Sequence, residues 1–137
     1  MKFSHYFFSV LMIFLVNTIY CTQNGIERDY YKNGKLRKAI SYENGIKNGP
    51  AKIFHKNGKV KLEWTFISGK VEGVSKEYFK DGKLRLTKEY VNGVHHGVHT
   101  SYYKNGNKYY EEFYKKGKLK SRKIYNKQGG LENEREY

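Results

Sequence analysis

The sequence predicts an all-β chain: an elongated antiparallel meander of stacked β-hairpins, forming a single-layer curved sheet with a 24-residue repeat. Three observations predict it. Glycines recur at that spacing in three independent series: Gly34, Gly58, Gly82 and Gly106; Gly45, Gly69, Gly93 and Gly117; Gly25, Gly49, Gly73 and Gly97. A fixed period of this size marks a repeat array. Asn-Gly or Asp-Gly stands between two strand-like runs in each unit, which is the strongest short hairpin signal. Aromatic residues reach 17% with 14 tyrosines, while hydrophobic residues reach only 38%. Such a composition suits pleated strands better than disorder.

The units divide as 25–48, 49–72, 73–96 and 97–120, with a degenerate copy at 121–137. The first reads GIERDYYKN-GKLRKAISYEN and the second GPAKIFHKN-GKVKLEWTFIS. The third and fourth read GVSKEYFKD-GKLRLTKEYVN and GVHTSYYKN-GNKYYEEFYKK. A type I′ turn at Asn33-Gly34, Asn57-Gly58, Asp81-Gly82 and Asn105-Gly106 joins the two strands of each unit. The segment from Gly45 to Gly49 and its equivalents suit a second, wider turn with left-handed backbone positions. Pro50 falls at a strand start, where a missing N–H is tolerated.

A two-residue turn at Asn57-Gly58 fixes the register. It pairs His55 with Val60, Ile53 with Leu62 and Ala51 with Trp64 on an apolar face that also carries Leu36 and Leu84. The opposite face pairs Phe54 with Lys61 and Lys52 with Glu63. The same rule sets Tyr30 across from Arg37, Tyr78 across from Arg85 and Tyr102 across from Tyr109. An aromatic column of Tyr30, Phe54, Tyr78 and Tyr102, flanked by Arg28, Lys52 and Lys76, results. The candidate binding residues are therefore Tyr30, Arg37, Phe54, Lys61, Tyr78, Arg85, Tyr102 and Tyr109. A bulged three-residue turn would exchange the faces, because the side-chain period is two.

The first 22 residues read as a signal peptide. Lys2 precedes the run from Tyr6 to Tyr20, which is almost wholly apolar and shorter than the roughly 20 residues of a membrane span. The chain is thus expected to be exported to a periplasmic, cell-surface or secreted location, with an uncleaved anchor as the alternative. Cys21 is the single cysteine, so no intrachain disulfide forms. Its place after the leader suggests a lipoprotein signal, but Tyr20 stands where such signals carry a small residue. The net charge is +14, which favours anionic partners and fast association without determining fold.

The pattern Tyr-x-x-Asn-Gly-x-Leu, then an aromatic, then Gly-x-x-x-Gly resembles a MORN repeat, in particular its bacterial variant. It stands here as Tyr30 to Leu36 with Tyr42 and Gly45 to Gly49, and again as Tyr78 to Leu84 with Tyr90 and Gly93 to Gly97. Departures are Lys108 for an apolar residue, His55 for an aromatic and Ser121 for a glycine. The resemblance implies scaffolding, partner binding or association with membrane lipids, and no catalysis. Some bacterial members are described as antitoxin or immunity proteins.

The residues give little chemistry of their own. Asp29 and Asp81 are the only aspartates, and Asp81 belongs to a turn. Glu63, Glu111 and Glu112 read as solvated cross-strand charges. No phosphate-cradling loop or nucleophile elbow is present, and no cofactor is expected. His95, His96 and His99 form the one unusual cluster, a donor set suited to Zn²⁺ or Cu²⁺. Other units place Lys47, Val71 and Leu119 at the position of His95, so an exposed polar loop is the favoured reading and no metal is assigned. The expected role is a non-enzymatic binding or scaffold module. Its partner would be a protein, a toxin among the candidates, or an anionic lipid or envelope polymer. Export argues against nucleic acid, although aromatic and basic side chains together suit it.

Overall fold

The computed structural model describes residues 24–137; the leader assigned to 1–22, with Cys21, lies outside the described residues. Eleven antiparallel strands form one open sheet. In chain order they are β1 Gly25–Tyr30, β2 Leu36–Glu43, β3 Ile46–Phe54, β4 Val60–Ile67, β5 Lys70–Tyr78 and β6 Leu84–Val91. Then come β7 Val94–His95, β8 Gly97–Tyr102, β9 Lys108–Lys115, β10 Lys118–Tyr125 and β11 Leu131–Glu136. Each strand pairs with its sequence neighbours, except that β7 and β8 both follow β6 and amount to one strand interrupted at His96.

Both turn types differ from expectation. In the second unit the Gly58 N–H donates to the His55 carbonyl at 2.9 Å and the His55 N–H to the Lys59 carbonyl at 2.8 Å. Only Gly58, at φ 90, is left-handed there; Asn57 is not. That is a type I turn closed by a left-handed bulge residue, a three-residue hairpin loop. The Asn57 side chain spans the loop, its Oδ1 accepting the Lys59 N–H at 3.1 Å. Asn33, Asp81 and Asn105 accept from the residue two ahead in the same way, while Asn126, at the start of the fifth loop, accepts from the Gln128 and Gly130 N–H groups. The tight two-residue type I′ turns lie at the other end of the strands. Asn44 and Gly45 have φ of 50° and 75° between the paired Glu43 and Ile46. Ser68-Gly69, Asn92-Gly93 and Lys116-Gly117 repeat this.

The bulge alters register only beside the turn. Ile53↔Leu62, Lys52↔Glu63 and Ala51↔Trp64 pair as expected, but Phe54 faces Val60 and not Lys61. Likewise Tyr30 faces Leu36, Tyr78 faces Leu84 and Tyr102 faces Lys108, in place of Arg37, Arg85 and Tyr109. The pairing of His55 with Val60 is lost for the same reason: His55 belongs to the loop. A second irregularity shifts register by two residues where Gly49, Gly73 and Gly97 sit with positive φ. Pro50 follows the first of these inside β3, so a bulge rather than a strand start accommodates its missing donor.

The fifth unit is a full hairpin, one residue short. Its turn glycine is Gly129, at φ 91, and the Asn126 N–H donates to the Gly130 carbonyl at 2.9 Å. Register between β9 and β10 shifts by one residue here, passing from Leu119↔Tyr114 to Ser121↔Phe113. Lys120 thus stands where the earlier units have the bulge glycine, and the bulge has lost one residue with it.

Side chains on one sheet face form the core. Ile40, Ala51 and Phe66 are buried, with Tyr42, Trp64 and Val71 packed against them. The Trp64 and Phe66 rings meet edge-on at 5.9 Å. Neighbouring hairpins are also bonded through their turns. The Gly69, Gly93 and Gly117 N–H groups donate to the carbonyls of Lys47, Val71 and His95, each at 2.8 Å.

Candidate interaction surface

The eight candidate residues lie on the strand ends near the three-residue turns. The bulge changes which of them meet. Lys61 and Tyr78 lie one residue beyond the Leu62↔Glu77 pair, so the cation borders the next hairpin's aromatic. Arg37 stands in the same relation to Phe54, beyond Lys38↔Ile53, and Arg85 to Tyr102, beyond Leu86↔Ser101. Aromatics and cations therefore alternate from strand to strand across hairpins, with the pairing shifted by one strand.

Half of these side chains already have partners. Arg37 is ion-paired with Asp29. Arg85 donates to Glu77 Oε1 at 2.8 Å, with its guanidinium 5.9 Å from the Phe79 ring centre. Tyr78 is half-buried and donates its hydroxyl to Glu63 Oε1 at 2.7 Å. Burial first, and that carboxylate second, push the Tyr78 phenol up to about 12. Tyr109 is exposed and its ring lies 5.0 Å from Tyr103 and 5.5 Å from Tyr110. Phe54 and Tyr102 are half-buried. Tyr30 and Lys61 are exposed, and Lys61 has no carboxylate partner among the described residues. The arrangement is one of point charges and ring faces open to solvent.

The histidine cluster is not an exposed loop. His99 is the largest fully buried side chain, 1% exposed, and stacks on Tyr114 at 4.4 Å. His95 lies edge-on to it at 4.7 Å and to Tyr90 at 4.9 Å. The His99 Nε2–H donates to the Glu89 carbonyl at 3.1 Å. Burial holds both imidazoles below their ordinary value, with Lys88 adding to the effect on each and His95 on His99. Glu112, expected to be solvated, is also buried; Arg122 Nε donates to it at 2.7 Å and the Tyr114 hydroxyl at 3.2 Å. Among the described residues, no group of three or more His, Cys, Asp or Glu is placed to hold a metal ion.

Two further series escaped the sequence reading. Asn24, Asn48, Glu72 and His96 each offer a side-chain acceptor to the backbone N–H of the left-handed turn residue twenty positions on. Their shared property was visible as four acceptor-bearing side chains at the repeat spacing. Tyr31 and Tyr103 donate hydroxyls to the carbonyls of Phe54 and Tyr125, at 2.6 and 3.0 Å. His55 makes the same bond to the Tyr78 carbonyl at 3.0 Å, which explains how a histidine replaces an aromatic there.

The family model described as the MORN repeat variant matches residues 23–44, 47–68, 71–92 and 96–116, more than half of the chain. The chain belongs to the MORN repeat variant family. The last residue of each matched segment, from Asn44 to Lys116, is the left-handed residue of a type I′ turn or its equivalent. MORN repeats are binding and scaffold modules for proteins or membrane lipids, not catalytic units. No curated protein matches the chain.

Proposed function

We propose that this MORN protein is an exported, non-enzymatic binding module whose partner presents an anionic surface. The observation that supports this most directly is the charge remaining after internal pairing. The chain carries 27 lysines and arginines against 13 acidic residues. Among the described residues, seven ion pairs occupy carboxylates of Asp29, Glu27, Glu63, Glu77, Glu111, Glu112 and Glu134. Cations therefore outnumber the carboxylates left to meet them. The apolar leader motivates the assignment to the cell envelope or beyond.

Vesicle co-sedimentation of the chain lacking residues 1–22 tests the reading. Binding to anionic vesicles at low salt, little binding to zwitterionic ones, and loss as salt rises are expected, because exposed charges are screened over about 8 Å at 0.15 M. Lys61→Glu combined with Tyr30→Ala is expected to weaken binding about fivefold or more. Equal binding to neutral and anionic vesicles would defeat the proposal. A stoichiometric complex with one protein that persists in high salt would replace it with the immunity or antitoxin reading.

A further inference from the structure

The two turn-bearing edges of the sheet differ in charge. The five three-residue turns, at 31–35, 55–59, 79–83, 103–107 and 126–130, hold eight lysines and one aspartate. The four type I′ turns, at 43–46, 67–70, 91–94 and 115–118, hold four lysines and one glutamate, with three of the lysines in the last turn. One lysine recurs at the same turn position throughout: Lys32, Lys56, Lys80, Lys104 and Lys127. All five are exposed. Their backbone carbonyls join the structure, as where the Asn57 amide donates to the Lys80 carbonyl at 2.7 Å and that of Asn105 to the Lys127 carbonyl at 2.8 Å. Their ammonium groups have no carboxylate partner among the described residues.

Strands lie about 4.8 Å apart, so successive turns on one edge are about 10 Å apart and the five span roughly 40 Å. Lys59 and Lys83 stand between them, with ammonium groups on the carbonyls of Asp81 and Lys104 at 2.6 and 3.1 Å. The edge carries a series of cations at about one per 5 Å where both lysines are present. Amide hydrogen bonds from Asn57 and Asn105 tie the second turn to the third and the fourth to the fifth, and hold that spacing without the ligand.

We propose that this edge is a docking rail for a linear phosphate polymer, a reading that rests on the anionic partner proposed above. Lysine ammonium is a compact point charge without the bidentate geometry of arginine. Such a rail reads charge density along a line and not the shape of one group. A phosphate chain, with a charge every few ångströms (about 3.4 Å along one DNA strand), condenses counterions, and their release drives binding to a row of lysines. The turns themselves offer lysines and no free ring: the Tyr31 and Tyr103 rings in them are half-buried, with hydroxyls committed to carbonyls.

The test uses long-chain inorganic polyphosphate and the chain lacking residues 1–22, with affinity measured across a salt series. Lys56→Gln, Lys80→Gln, Lys104→Gln and Lys127→Gln together should weaken binding at least tenfold and reduce the log–log salt slope by about four. Lys70→Gln, Lys115→Gln, Lys116→Gln and Lys118→Gln remove the same number of exposed charges from the opposite edge and should change affinity less than threefold. Circular dichroism confirms that both variants fold. Affinity should also rise as the polymer lengthens to span successive turns. Equal losses in the two variants would overturn the rail and leave the anionic-partner reading standing. No binding by the parent chain at low salt would end both. An oligothymidylate of matched charge binding tenfold tighter than polyphosphate would also overturn the rail.

Discussion

Two stretches of the same sheet face are built from the same repeat positions and filled in opposite ways. Near the N-terminus, Ala51 lies between Ile40 and Trp64, with Phe66 beside it. Two units later, the position of Ala51 is His99, and those of Ile40 and Trp64 are Lys88 and Glu112. The column of Tyr42 and Phe66 continues as Tyr90 and Tyr114. A small residue at the centre admits large apolar neighbours. A buried imidazole fills the same centre with a ring and needs a polar partner, which the Glu89 carbonyl provides, while the buried Glu112 across from it is met by Arg122 and the Tyr114 hydroxyl. The first block depends on removing apolar area from water; the second depends on leaving no buried group unsatisfied. Ser75, paired with Lys88 and still buried, stands between them.

The comparison can be broken most forcefully at Phe66. Phe66→Ala should cost about 3 kcal/mol, read from urea unfolding, because a large buried ring is lost from a core with few other members. A cost near that of an exposed aromatic such as Tyr109→Ala would show that the apolar block is not the main source of stability.

Acid should discriminate between the blocks. His95 and His99 titrate below their ordinary value in the folded chain, so between that point and about 6.5 the unfolded chain binds more protons. Stability therefore rises with pH across this window and falls as pH drops below about 6.5, by at most about 1.4 kcal/mol per pH unit for each histidine. Glu27, Asp29 and Glu111 are held low by Lys38, Arg37 and Lys108, so their contribution is lost only under more acid conditions, below about pH 4.5. Urea midpoints at about pH 7.5 and about pH 5 should differ in the parent chain and differ less in His99→Gln, whose amide retains a donor for the Glu89 carbonyl. An unchanged difference would remove the histidines from the account.

The smallest expected effect sharpens the link between hairpins. Phe79 holds the position where Tyr31, His55 and Tyr103 donate to a carbonyl of the next unit. Phe79→Tyr supplies the missing donor and should stabilise the chain by about 0.5–1 kcal/mol, seen as a raised unfolding midpoint. No change or a loss would mean that the Arg85 guanidinium beside that ring sets the local geometry instead.

The repeat, the hairpins and the register from Ala51 to Ile53 were legible because period and alternation are direct projections of strand geometry. The turn types were not. Asn-Gly occurs in this chain at both strand ends, as Asn57-Gly58 and Asn92-Gly93, and the dipeptide suits a type I′ turn as well as the end of a bulged type I turn. Only the pairing on either side decides between them. That single residue moved Arg37, Lys61 and Arg85 from one aromatic neighbour to the next. The histidine cluster was misread because variation between units suggested a loop. In a one-layer sheet, a buried column also varies, provided its neighbours across the strands vary to match.

Lys120 has a consequence for how this protein arose and can grow. The earlier units are of equal length, so a copy of any of them keeps the register between two others, provided its core side chains meet matching neighbours. The final hairpin is one residue short, so a module appended after it would meet a mismatched thread. A tandem copy thus keeps the register in the part of the chain before Lys120 and loses it across that residue.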